Sequence, residues 1–139
     1  MLILIKQKTF LKLALHAQSY DLDFALQIAN LCDSYYKPNV LASIACEVLK
    51  SDIETAREIA NSIDDTSSKI GALATIASYT HDEEAIDRMI KIVIMPKIFD
   101  NDDDNYEVLT NIASGIADNF PHKAIDLLKE IHTNKHLAI

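Results

Sequence analysis

Apolar residues recur along the chain with the period of an α-helix. The motif L-x-x-I-A occurs three times, at 41–45, 73–77 and 109–113. A second motif, A-x-x-I-A or a close variant of it, also occurs three times, beginning at Ala25, Ala56 and Ala124. Both motifs place apolar side chains three and four residues apart, which is the stripe that a helix buries. The pattern therefore predicts a series of amphipathic helices.

The two motifs alternate at a constant distance, which indicates that the helices come in pairs. The second motif begins 15 residues after the first helix's reference position, which is Phe10, Leu41 or Leu109. In the third pair the second helix begins about three residues early, near Asp82. The patterns predict helices over eight segments: 8–18, 21–33, 38–49, 52–63, 68–79, 82–94, 105–118 and 121–132.

Polar residues at the predicted helix starts agree with these boundaries. Capping boxes, in which a hydroxyl and a glutamate satisfy the first free N–H groups, are predicted at 51–54 and 80–83. The segment 104–107, which begins with Asp104, is a close variant. Pro38 and Pro121 fall near first turns, where the missing N–H costs nothing.

Repetition follows from burial, because one short helical hairpin cannot cover its own apolar stripe and needs the next hairpin against it. Small residues on the inner faces are expected to let neighbouring helices approach closely: Ala42, Ala45, Ala74, Ala77, Ala113 and Gly115. The predicted fold is all-α, an α-α superhelix of about four antiparallel helix-turn-helix repeats with eight helices. One α-solenoid domain is predicted over 1–139, with repeats at about 8–36, 37–67, 68–104 and 105–133.

The two-helix unit of 31–36 residues, which covers 10–132, resembles tetratricopeptide and HEAT-type α-solenoid repeats. The chain diverges from both consensus patterns. It has no aromatic residue at the start of the first helix, no Leu-Gly pair and no proline closing each unit, and it lacks the HEAT-type Asp and Arg at the turn. The resemblance implies a superhelical fold and carries over no ligand-contacting residue.

Composition supports helices and narrows the class of partner. The chain has only two glycines and three prolines in 139 residues, and an all-β fold with many tight turns needs more glycine. The net charge of −8 disfavours binding to a phosphate backbone, so no nucleic-acid partner is predicted. Residues 1–20 carry three lysines and no acid, whereas 82–107 carry nine acids and three bases. The preferred interpretation of this polarity is a solvated acidic surface, and head-to-tail contact or a basic partner is the alternative.

No apolar run reaches the length of about 18 residues that a membrane span requires, and the segment 1–5 is apolar before any charge, unlike a signal peptide. No membrane partner and a cytoplasmic location are therefore predicted. Cys32 and Cys46 are expected to pack in the core, with a redox pair as the alternative.

The segment 100–105 places carboxylates at the spacing of the first half of an EF-hand loop. Asn105 and Asn111 stand where that loop needs a glycine and a bidentate glutamate, so a solvated acidic loop is predicted. His132 and His136 have helical metal-clamp spacing but lack a third ligand nearby. The prediction is no catalytic, cofactor-binding or metal-binding residue, no cofactor, and no enzymatic activity.

The predicted function is a protein-protein interaction or scaffold module that holds a protein or peptide partner. The alternatives are a divalent-metal-binding or enzymatic domain that uses the acidic loop 100–105, and a self-assembling structural subunit. The apolar residues near the N-terminus occupy more than one side of any helix, so they either fold back as a cap or form a homo-oligomer contact. The candidate interaction surface combines these residues with turn tyrosines: Leu2, Leu4, Phe10, Leu11, Tyr35, Tyr79 and Tyr106.

Overall fold

The computed structural model describes residues 12, 13, 16, 21–94 and 102–137. All regular structure in these residues is α-helical, which confirms the all-α prediction. Seven helices lie there instead of the eight predicted: α1 (Leu22–Asn30), α2 (Lys37–Val48), α3 (Ile53–Asn61), α4 (Thr66–Tyr79), α5 (Glu83–Ile94), α6 (Asp102–Ile116) and α7 (Pro121–Leu137). The predicted helix over 8–18 falls mainly outside the described residues, although Lys12, Leu13 and His16 are helical.

The helix bounds match the prediction within three residues, except at the end of α7. That helix continues to Leu137 instead of stopping at 132, because the residues that follow His132 include no glycine or proline to end it. Helix α6 begins at Asp102 instead of 105. Carboxylates are favourable in a first helical turn because the free N–H groups there carry partial positive charge. The acidic run therefore starts the helix instead of preceding it.

Three helices begin directly after an aspartate whose carboxylate accepts a backbone N–H hydrogen bond: Asp21 before α1, Asp52 before α3 and Asp82 before α5. The hydrogen bonds that Thr55 donates to Asp52, from its side chain first and its backbone second, lower the pKa of that carboxyl. An aspartate in extended backbone at the N-cap position satisfies a donor that the helix itself leaves unpaired.

The predicted capping boxes at 51–54 and 80–83 are wrong. The Ser51 hydroxyl donates to the Val48 carbonyl at 3.1 Å, and the Thr80 hydroxyl donates to the Ile76 carbonyl at 3.1 Å. Both hydroxyls therefore close the end of the preceding helix, and the neighbouring aspartates cap the next one. Asp104 lies inside the first turn of α6, so it does not occupy the N-cap position either.

The chain divides into two compact units, Met1–Asp65 and Thr66–Ile139. In the first unit α2 packs against α1 and α3. Its buried apolar residues include the apolar positions of both sequence motifs: Ala25, Ile28, Ala29, Cys32, Val40, Leu41, Ile44, Ala45, Val48, Leu49, Ala56, Ile59, Ala60 and Ile63. The predicted apolar stripes of these three helices are thus the buried faces.

In the second unit α4 packs against α5, α6 packs against α7, and the two pairs meet mainly through α4 and α6. The core joins residues of all four helices: Ala74, Ala77, Ile86, Val93, Val108, Leu109, Ile112, Ala113, Ile116, Ala124 and Leu127. This packing is compatible with a helical-repeat fold.

The turn between α4 and α5 contains a residue in the left-handed backbone conformation, which residues other than glycine rarely adopt. His81 has φ of 55°, and the Asp82 N–H reaches back to the Ala77 carbonyl at 2.8 Å, which closes the end of α4. The exposed His81 ring contacts the Phe120 ring edge-on, with centroids 6.2 Å apart. Glycine is the common residue at this left-handed position after a helix.

We expect His81→Gly to be more stable than His81→Ala by about 1 kcal/mol, because both variants lose the ring contact and only alanine keeps the steric cost of the left-handed backbone. Urea denaturation followed by circular dichroism measures the difference. Equal free energies of unfolding for the two variants would show that the left-handed backbone at position 81 does not destabilise the alanine variant.

Candidate interaction groove

An apolar groove of about 320 Å³ runs along α6 and α7 in the second unit. Small side chains form its α6 wall, and larger aliphatic side chains form its α7 wall. The lining residues are Thr110, Ala113, Ser114, Ala117, Pro121, Ala124, Ile125 and Leu128. Ile125 and Leu128 are 49% and 47% exposed, which makes them the large apolar side chains of this wall that face solvent.

The groove exists because α6 spaces its small residues along one face and a short turn fixes α7 beside it. Thr110, Ala113 and Ala117 lie three to four residues apart, which is one face of a helix. The Phe120 N–H donates to the Ile116 carbonyl at 2.8 Å, and α7 begins at the next residue with Pro121. Small side chains on one wall leave room between the helices that larger residues would fill.

The corresponding face of α4 is covered. Alignment of the L-x-x-I-A motifs makes Thr110, Ala113 and Ser114 of α6 the counterparts of Ala74, Ala77 and Ser78 of α4. All three α4 residues are buried, and the first two belong to the core that α6 completes. Thr110 and Ser114 are exposed. Two positions of the α6 wall, Thr110 and Ser114, are thus exposed where the aligned α4 residues are buried.

On the α7 wall too, a groove residue is exposed where its counterparts in other helices are buried. In the A-x-x-I-A alignment, Leu128 is the counterpart of Ala29 in α1 and Ala60 in α3, and both alanines are fully buried. Leu128 instead leaves about half of its side chain in solvent. A leucine at a position that is inaccessible in α1 and α3 indicates an apolar surface that this pair leaves open.

The contact between α4 and α6 shows how closely two helices of this unit approach each other. Both glycines of the chain lie at this crossing. A Cβ added to Gly115 would stand 2.7 Å from Thr75 Oγ1, 3.1 Å from the Thr75 backbone nitrogen and 3.2 Å from the Gly71 carbonyl oxygen. The Thr75 hydroxyl donates to that same carbonyl at 3.0 Å. The predicted role of Gly115 in close helix approach is thus confirmed.

Two asparagine side chains hold the ends of this crossing. Asn111 Nδ2 donates to Ser67 Oγ at 2.8 Å, and Asn119 Nδ2 donates to the Ser78 carbonyl at 3.0 Å. Ser67 and Ser78 are both buried. Because the partners occur in the same order on both segments, α4 and α6 run parallel. Buried polar groups that are fully paired fix the register of a helix contact more sharply than apolar packing does.

The segment that forms the groove carries more acids than bases, and its exposed acids are called the acidic rim below. Residues 105–130 include four exposed acids, Glu107, Asp118, Asp126 and Glu130. Of the two lysines in the same segment, Lys123 is already held by Asp87 at 2.7 Å and Glu83 at 3.1 Å. Those hydrogen bonds, to Asp87 first and Glu83 second, raise the pKa of the Lys123 ammonium. Lys123 therefore links α7 to α5 through two ion pairs.

Comparison of the chain with protein-family models, with curated proteins and with solved structures finds no match. The described part of the chain is all-helical, with packed helices compatible with a helical-repeat fold. The likeness to tetratricopeptide and HEAT-type repeats thus rests on the two-helix unit alone.

The predicted surface residues do not coincide with the groove. Leu2, Leu4, Phe10 and Leu11 lie outside the described residues. Tyr35 is 79% exposed and packs edge-on against Tyr36, Tyr79 is exposed, and Tyr106 is half-buried. These three tyrosines are absent from the groove lining. The motif alignment carried the missed signal, because it sets Leu128 against two alanines.

The acidic loop predicted at 100–105 is wrong for 102–105, which form the start of α6, and Asn105 is buried instead of solvated. The described residues contain no cluster of three or more His, Cys, Asp or Glu side chains that could hold a metal ion. His132 and His136 lie in α7, where their side chains fall outside the description. The described helices likewise include none that is long and apolar enough to cross a membrane.

Cys32 and Cys46 form no disulfide with each other in the structure. Cys32 is buried, as a core role predicts, and its thiol lies 3.8 Å from the Ile28 carbonyl oxygen. Burial first and the nearby Asp33 carboxylate second raise the pKa of the Cys32 thiol. Cys46 is only half-buried. A raised pKa lowers the thiolate fraction and so disfavours redox chemistry at Cys32.

Proposed function

We propose that this protein is a non-catalytic interaction module, an α-solenoid of the tetratricopeptide or HEAT type, that binds an amphipathic helix of a protein partner in the groove between α6 and α7. One observation carries the proposal. The groove residues Thr110, Ala113 and Ser114 align with three α4 residues that are all buried, two of them in the core to which α6 contributes. A surface whose internal counterpart holds a helix is suited to hold another.

The packing of α6 against α4 and α5 indicates the pattern of apolar residues that a bound helix has. Helix α6 contributes Val108, Ile112 and Ile116 to the shared core, at intervals of four residues, and all three side chains are fully buried. A helix with large aliphatic residues at the same spacing fits the small-residue wall of the groove and covers Ile125 and Leu128. Helix-in-groove recognition of this kind reads anchors at i, i+3, i+4 and i+7.

Electrostatics narrows the partner. The acidic rim and the net charge of −8 favour a helix with basic flanks and disfavour nucleic acid. A cytoplasmic location is part of the proposal. The metal-dependent alternative gains no support from the described residues, because 102–105 belong to the first turn of α6.

Site-specific photo-crosslinking tests the groove. A benzoyl-phenylalanine introduced at position 117 faces the groove, and the same residue at position 34, an exposed turn of the first unit, is the matched control. We expect protein adducts from position 117 and few from 34. Ser114→Arg, which places a long charged side chain in the groove, is expected to remove the adducts. Equal adducts from both positions, or adducts that survive Ser114→Arg, would contradict the proposal.

A further inference from the structure

We infer that the groove of one copy receives the N-terminal segment 1–20 of a second copy, so that the protein associates head to tail. This inference rests on the proposed function, because it names the helix that the groove holds. It is carried by three features together: the uncovered repeat face between α6 and α7, the acidic rim of that face, and a segment of this chain with the complementary charge and apolar content.

Charge complementarity selects the segment. Residues 1–20 carry Lys6, Lys8 and Lys12 and no acid, whereas the chain as a whole has a net charge of −8. The groove rim presents four acids, with Lys123 engaged by α5. Opposite charges at the edges of an apolar contact steer the encounter and fix its orientation.

The apolar content of the segment exceeds what one buried face uses. Its sequence predicts a helix over 8–18, and apolar residues occupy more than one side of that helix: Phe10, Leu11, Leu13 and Leu15. Leu13 is helical and leaves 50% of its side chain exposed. A helix with two apolar faces can pack within its own unit on one side and against a second copy on the other.

The groove and the segment 1–20 are different surfaces, so the contact between two copies is heterologous. A two-fold dimer through the groove would instead bring two acidic rims together, which costs free energy at low salt. A heterologous contact joins further copies until the geometry closes a ring. We therefore expect the weight-average mass to rise beyond a dimer with concentration and to fall with added salt, as the screening of exposed charges requires.

Sedimentation of the full 139-residue chain and two variants tests the inference. Ser114→Arg blocks the groove and keeps the segment. The triple variant Lys6→Glu, Lys8→Glu and Lys12→Glu keeps the groove and reverses the charge of the segment. Each alone is expected to associate at least about tenfold more weakly than the native chain. Mixed together they should form a one-to-one heterodimer, because the intact segment of one meets the intact groove of the other.

Ser34→Arg is the matched control and should associate like the native chain, and circular dichroism establishes that each variant is folded. A native chain that stays monomeric, or a mixture that stays monomeric, would overturn the inference. If the native chain is monomeric while position 117 crosslinks a different protein, only the named occupant is wrong and the groove still binds. If position 117 crosslinks nothing, the proposed function fails as well.

Discussion

Replacing Gly115 by alanine is expected to lower the free energy of unfolding by about 1–3 kcal/mol, the usual cost of overpacking. The expected sign is informative because alanine is the better helix former by about 1 kcal/mol. The new Cβ would lie 2.7 Å from Thr75 Oγ1 and 3.1 Å from the Thr75 backbone nitrogen. Since the second neighbour is backbone, the clash is relieved only if α6 moves away from α4.

Two control variants isolate this clash. Gly71→Ala lies at the same crossing, but the three atoms nearest to its added Cβ all belong to the Asn111 side chain, the closest at 3.1 Å, so a smaller loss is expected. Ser114→Ala changes an exposed residue of the same helix and should be close to neutral. Urea denaturation with hydrogen exchange resolved over 66–139 measures all three. If Gly115→Ala is as stable as Ser114→Ala, α4 and α6 do not approach as closely as the structure shows.

The sequence predicted the helices and their buried faces well because both follow from local periodicity. Ile44, Ile76 and Ile112 stand at the same position of the L-x-x-I-A motif, and all three are buried. A stripe of apolar residues at helical spacing must be removed from water somewhere, whatever the tertiary arrangement. The faces were therefore predictable even without knowledge of the neighbouring helices.

Helix starts were less predictable because several polar residues compete for one role. At the start of α3, Ser51 and Asp52 are adjacent, and either side chain can cap a helix. In the structure Asp52 caps α3, and the Ser51 hydroxyl donates a hydrogen bond to the Val48 carbonyl of the preceding helix. The choice depends on which residue takes the extended backbone conformation, and the tertiary path of the turn decides that.

The groove was not predicted because exposure at a repeat position depends on what packs against it. Ser78 and Ser114 share one motif position, yet Ser78 is buried beside Asn119 and Ser114 is exposed. The two Asn–Ser contacts join residues 44 and 41 positions apart in the chain. Ordinary polar residues at such separations give no periodic signal, so the sequence could not show which face of α6 would be covered.

The second large effect is expected for Ile112→Ala, which should lower the free energy of unfolding by about 2–5 kcal/mol. Ile112 is fully buried on α6 and belongs to the core shared with α4, α5 and α7. Truncating its side chain removes apolar contacts and leaves a cavity that the surrounding helices fill only in part. Melting followed by circular dichroism, with hydrogen exchange over 66–139, measures the loss.

Ile125→Ala is the matched control, because it removes the same atoms from a groove side chain that is about half exposed. Ile125→Ala should lower the free energy of unfolding by less than about 1 kcal/mol, because much of the Ile125 side chain is in contact with water in the folded state too. The same variant should weaken binding in the groove, whereas Ile112→Ala should weaken it only as far as it unfolds the second unit. Equal losses of stability in the two variants would mean that Ile125 is covered in solution, and the groove would then be part of the core instead of a free surface.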